Sequence, residues 1–185
     1  MANSPPFFIL TLPRSRSKWL SVFLSYPGRA PCGHDLAVEC STIADFLNAV
    51  SLRSGTVETG AVLGWHRLVE RFPRSFFAAV HRPVREVHDS LKKAGVETSY
   101  AELTRRAKLL EDFSTYPGVM SCSFSELDNP KICASLFERC LGRAFDPTWH
   151  AKLAGENIQI DLAARVARLR DRAAALERLK SEVAA

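Results

Sequence analysis

Residues Phe7 to Leu12 form an unbroken run of apolar, β-branched or aromatic side chains that stops at Pro13, directly before the basic segment Arg14-Ser15-Arg16-Ser17-Lys18. Such a run predicts a strand buried on both faces of a parallel sheet. From Ser17 onward Leu20, Phe23 and Leu24 recur at helical spacing until Tyr26-Pro27-Gly28 ends the segment. The unit reads strand, basic loop, helix. A helix start exposes unpaired backbone N–H groups and the positive end of the dipole, so this turn is a natural anion seat. Ser15 and Ser17 add hydroxyls, and Arg14, Arg16 and Lys18 add charge. Three cations within five residues repel one another in an empty loop, and a phosphate or phosphosulfate neutralises them.

The rest of the chain repeats the alternation. Arg29 to Asp35 reads as a loop. Ser41, Thr42 and Asp45 open a helix carrying Ile43, Phe46, Leu47 and Val50 on one face. A further helix at about Ala61 to Arg71 leads to the strand Phe76 to Val80, which again ends in a cation, Arg82. Pro83 suits a first helical turn, and Val84, Val87, His88 and Leu91 supply the next periodic face. Thr98 or Ser99 with Glu102 resembles a capping box opening a helix that runs to about Tyr116. Val119 to Phe124 is a third strand candidate, Glu126 to Leu141 reads as helical up to Gly142, and Phe145-Asp146-Pro147 turns the chain back. Strands alternating with helices imply a doubly wound parallel sheet in a three-layer α/β/α arrangement.

The stretch from Asp161 to Val183 differs in texture. Leu162, Val166, Leu169, Ala173, Leu176 and Val183 fall close to a heptad, broken at Lys180. It reads as a long C-terminal helix, packed on its own domain or dimerising.

The 185 residues suit one domain with an appendage, and 46% hydrophobic residues exclude a disordered or fibrous chain. The net charge of +5 is modest, but the first acidic residue is Asp35, after four cations. That asymmetry favours a small anionic ligand over a nucleic-acid surface. Five cysteines, an odd number without a C-x-x-C pair and without a signal-peptide pattern, imply reduced thiols and a cytoplasmic setting. The apolar run at Phe7 is too short to span a bilayer.

A Walker A loop needs G-x-x-x-x-G-K-[ST], with a hydroxyl for magnesium. Here Arg16, Ser17 and Lys18 stand where its Gly-Lys-Ser/Thr would fall, so ordinary kinase chemistry is disfavoured and no metal is expected. The segment Thr11-Leu12-Pro13-Arg14-Ser15-Arg16-Ser17-Lys18-Trp19 instead resembles the first loop of the sulfotransferases that use 3′-phosphoadenosine 5′-phosphosulfate. Arg16 stands where that family more often has glycine. A second likeness is Arg82 followed by Ser90 eight residues on, similar to the pair that holds the donor's 3′-phosphate. A third is Ser123-Phe124-Ser125-Glu126-Leu127-Asp128-Asn129-Pro130 with the later Leu141-Gly142-Arg143-Ala144-Phe145-Asp146. The likeness covers about residues 7 to 150 and lacks the C-terminal glycine- and lysine-rich motif of cytosolic animal members, as several bacterial relatives do.

The resemblance implies a P-loop nucleotide-hydrolase-like fold, with residues 1–157 as the sulfotransferase-like domain and 158–185 as the terminal helix. It implies donor binding by Arg14, Ser15, Arg16, Ser17, Lys18, Trp19, Arg82 and Ser90, with Arg14 and Lys18 stabilising charge on the leaving group. For the base, the loop Pro31-Cys32-Gly33-His34-Asp35 offers His34, whose ordinary pKa suits proton removal near neutrality, and Asp35, which could orient or replace it. Both stand as candidates. Cys32 and His34 lack a second close ligand pair for a metal, and Trp19, Trp65 and Trp149 are most simply packing residues. The competing functions are a magnesium-dependent nucleotide or nucleoside kinase-like enzyme and a catalytically silent nucleotide-binding or partner protein. The acceptor, whether carbohydrate, lipid, phenol or peptide tyrosine, is not specified by these residues.

Overall fold

The computed structural model describes residues 5–156 and 158. The postulated helix at 158–185, apart from its first residue Ile158, and any dimerisation through it, lie outside the described residues.

Strand β1, Phe7–Thr11, is fully buried along its length and forms the centre of the molecule. Its pleat divides the core. Phe7 and Ile9 face a cluster that includes Leu20, Phe23, Phe137 and Leu153. Phe8, Leu10 and Leu12 face a second cluster with Phe46, Val62, Leu91 and Phe113. Burying each such side chain stabilises the fold by about 1.5–3 kcal/mol. Because a strand presents alternate residues to opposite faces, helices must cover both sides.

The five strands β1, β2 (Gly33–His34), β3 (Gly55–Glu58), β4 (Phe77–His81) and β5 (Met120–Ser123) are ordered β2-β3-β1-β4-β5. All neighbours run parallel. The expected doubly wound parallel sheet is therefore present. Chain progress switches from one side of β1 to the other between β3 and β4, and in such sheets ligands bind beyond the carboxyl ends of the strands near that switch.

Among the described residues the helices are α1 (Ser17–Phe23), α2 (Leu36–Glu39), α3 (Ile43–Ser51), α4 (Trp65–Arg71), α5 (Val84–Lys93), α6 (Tyr100–Ser114), α7 (Pro130–Leu141) and α8 (Pro147–Ala154). Thr42 and Asp45 form a reciprocal capping box on α3, and Ser99 caps α6 by accepting from the Glu102 amide. Gly142 ends α7 in the left-handed conformation with φ 60°.

Several sequence expectations are corrected. The strand ending near Arg82 is fourth in the chain instead of second, because Gly33–His34 and Gly55–Glu58 form strands where none was expected. With Val57 as its one large apolar residue, β3 shows no alternation. Gly55 is required there: a Cβ would stand 2.5 Å from the Phe7 carbonyl oxygen. The Arg29 to Asp35 loop contains the edge strand β2, held by pairing of Gly33 and His34 with Thr56 and Val57. The helix expected over Glu126 to Leu141 is a 3-10 turn, Ser125–Asp128, then α7, separated by the cap Asn129. Asp146-Pro147 starts α8 instead of merely turning the chain, with the Asp146 side chain accepting from the Thr148 and Trp149 amides.

Candidate functional site

All five strands end toward one cleft of about 670 Å³, a size ordinary for a small-molecule site. Five cations, Arg14, Arg16, Lys18, Arg82 and Arg106, line it against three carboxylates, Asp35, Asp128 and Glu156.

The first wall is the turn after β1. Arg14 and Arg16 both have left-handed backbones, with φ 62° and 58°, a conformation unfavourable for non-glycine residues by about 1–2 kcal/mol. Such strain persists where surrounding contacts impose it. Arg82, at the end of β4, donates from Nη1 to the Arg14 carbonyl and so clamps the turn. The Arg14 side chain donates from Nε to the Ser90 hydroxyl at 3.0 Å. Residues from the two separate sequence motifs, 76 positions apart, therefore meet directly. Arg82 also donates to Glu86 at 3.1 Å and lies over the Phe124 ring at 4.1 Å from its centroid. Arg16 lies over the same ring at 4.9 Å and pairs with Asp128 at 2.6 Å.

The remaining loop candidates divide. Lys18 and Ser17 line the cleft. Ser15 is fully buried, its hydroxyl directed to the Pro13 carbonyl at 3.5 Å. Trp19 reaches the cleft, yet its indole N–H donates to the Leu153 carbonyl at 2.9 Å and its ring stacks on Phe23, so packing accounts for most of its surface.

The second wall is the end of β2 and β3. His34 Nε2 lies 3.0 Å from the Ser17 hydroxyl and 3.6 Å from Asp35 Oδ2. Asp35 lines the cleft and accepts from the Thr59 amide at 2.7 Å. The polar loop of the sequence thus reaches the basic turn through Ser17.

Glu58, Thr59, Arg106 and His150 also belong to this region, and sequence reading missed them. Glu58 ends a four-residue strand with no periodicity to flag it, although a charged residue directly after Thr56-Val57 repeats the strand-then-charge pattern of Arg82. Burial raises its pKa to about 7 against the Thr56 hydroxyl, and the negative Asp35 adds to the rise. His150 is pushed down by burial. Among the described residues no group of three His, Cys, Asp or Glu could hold a metal ion, and no helix is long and apolar enough to cross a membrane.

A mouse sulfotransferase, SULT7A1, crystallised with PAP, has a similar structure. Its TM-score is 0.57 at 14% identity over 83% of this chain. The chain spans 63% of the length of that enzyme. A sulfotransferase from Alicyclobacillus acidocaldarius matches with a TM-score of 0.51 at 14% identity, covering 95% of both chains. This chain has the P-loop-type fold of the sulfotransferases. No family model and no curated protein matches the sequence.

Proposed function

We propose that the protein is a sulfotransferase that takes its sulfuryl group from 3′-phosphoadenosine 5′-phosphosulfate. The observation that carries the reading is the 3.0 Å bond from Arg14 to Ser90. It joins the loop suited to the donor's 5′-phosphosulfate to the Arg82 and Ser90 pair suited to its 3′-phosphate. One compound with anions at both ends satisfies both pockets, and the fold shared with a PAP-bound sulfotransferase supports the choice.

In this reading Arg82 and Ser90 hold the 3′-phosphate by charge-assisted hydrogen bonds. Arg14 and Lys18 face the 5′ end. As in phosphoryl transfer, positioning and electrostatics do most of the work. The acceptor hydroxyl or amine forms the new bond to sulfur while the bond from sulfur to the 5′-phosphate oxygen breaks. Cationic groups of the turn stabilise charge on that leaving oxygen, and the acceptor's proton passes to Asp35. Asp35 is the stronger base candidate because it lines the cleft. His34 orients it from 3.6 Å.

Binding of PAP tests the reading. It should raise the melting temperature by linkage, and Arg14→Ala or Arg82→Ala should abolish the rise. A larger response to ATP with magnesium would instead favour kinase-like chemistry.

A further inference from the structure

The corner where β2 and β3 end carries a buried carboxylate to which the transfer reaction assigns no part. Glu58 is fully buried. Its Oε1 accepts from the Leu36 amide at 2.8 Å and from the Thr56 hydroxyl at 2.6 Å. Its Oε2 accepts from the Ala37 amide at 3.1 Å. Asp35 runs the opposite way and accepts from the Thr59 amide at 2.7 Å. Each carboxylate therefore grips the backbone just beyond the other strand: residue 58 holds 36 and 37, and residue 35 holds 59.

Asp35 sits within this crossed clasp with a left-handed backbone, φ 51°. Its amide also donates to the Val57 carbonyl at 2.8 Å. A residue persists in that conformation when its surroundings over-determine it, and here Glu58 fixes the two amides that follow. A buried carboxylate is a poor way to gain stability, since apolar residues of similar volume pack at least as well. Its three accepted bonds do something an apolar residue cannot: they set the direction in which the chain leaves Asp35.

We propose that Glu58 is a positioning residue that fixes the turn at Asp35 and so holds the His34 and Asp35 pair against Ser17 and the cleft. The role as part of a catalytic device rests on the reading of that pair as the base, while the clasp can be measured without turnover.

The groups facing Glu58 are Asp35, across the clasp, and the Cys32 thiol leading into β2. Burial pushes that thiol up, and Lys18 on α1 and Arg53 before β3 act on it. His34 reaches the corner through Asp35. With Glu58 titrating near 7, the charged form accepts all three bonds above that pH. The protonated form gives up part of its acceptor capacity below it, so the clasp is tighter on the alkaline side.

The test follows backbone amide signals of Asp35, Leu36, Ala37 and Thr59 by NMR across the neutral range in the full chain, Glu58→Gln and Thr56→Val. In the wild type all four should move with one shared midpoint. Thr56→Val, which removes one bond to the charged carboxylate, should raise that midpoint by roughly one unit. Glu58→Gln should abolish the shared transition and displace the Asp35 and Thr59 signals. If Leu36 and Ala37 titrate while Asp35 and Thr59 stay fixed, Glu58 merely caps α2 and the inference fails. Absence of a shared midpoint, or its failure to rise in Thr56→Val, overturns it equally, and the latter variant suffices should Glu58→Gln not fold. The PAP-induced rise in melting temperature, recorded alongside, should be the same in Glu58→Gln and wild type. No rise in either would defeat the donor assignment and leave the NMR result on the clasp intact.

Discussion

The two walls of the cleft are built by opposite means. On the β1 and β4 side, half-buried cations surround a strained turn and are held through their own side chains, by bonds to backbone, hydroxyl and carboxylate, as in Arg82 to Arg14, Arg14 to Ser90 and Arg16 to Asp128. On the β2 and β3 side, acidic groups are buried and locked by several amides, as Asp35 and Glu58 show. A wall of half-buried cations on long side chains can rearrange around an arriving anion. A wall of buried carboxylates holds its geometry in advance, which is what proton removal from an acceptor demands.

The contrast is tested hardest at Asp35. Asp35→Asn should lower PAP release from the sulfate donor by about a hundredfold to ten-thousandfold, the usual range for loss of a general base, and leave PAP-induced stabilisation in place. Equal loss of both would mean that the acidic wall also binds the donor.

Glu58 gives the next largest effect. Its folded pKa of about 7 stands above the ordinary value of 4.5, so the folded chain holds the proton more tightly than the unfolded chain does. The stability this contributes is complete below about pH 4.5 and is lost as pH rises through 7, a decline on the order of 3 kcal/mol. Chemical denaturation at a series of pH values should show that decline in wild type and its absence in Glu58→Gln.

On the cationic wall, Arg82→Ala should remove the stabilisation given by PAP, worth about 2.7 kcal/mol at a hundredfold excess over Kd. Retention of even half the thermal shift would show that Arg106 and Lys18 suffice without it. The smallest effect belongs to Arg16→Gly. Relief of the left-handed strain is offset by loss of the half-exposed pair with Asp128 and by a more flexible unfolded chain. Urea denaturation should register a net gain of no more than about 1 kcal/mol.

The same division governs how much of the molecule is legible in its sequence. The cationic wall lies in contiguous stretches: a buried run, a proline, then alternating Arg, Ser and Lys, with Arg82 and Ser90 on one later strand-helix unit. Local periodicity and charge mark the basic turn and Arg82, the resemblance alone marks Ser90, and nothing local marks Arg106, which α6 brings to the cleft. The acidic wall is assembled from β2 and β3, which together span six residues and gain their strand character only by pairing with neighbours distant in sequence. His34 and Asp35 are visible as a polar pair. Glu58 is not, because its burial is a tertiary fact and the amides that hold it belong to residues 36 and 37. Gly55 likewise announces nothing until Phe7 lies against it. For α8 the signal is present in Asp146-Pro147, a capping residue followed by proline at the first helical position, and the short amphipathic segment after it is simply too brief to assert itself.

Trp19 couples these pieces in a way that offers light as a readout. Its indole borders the basic turn while its N–H is tied to the Leu153 carbonyl. With Trp65 and Trp149 replaced by phenylalanine, emission from the one indole left would report filling of the cleft in real time. The protein would then carry its own optical gauge of occupancy, calibrated by a bond already in place.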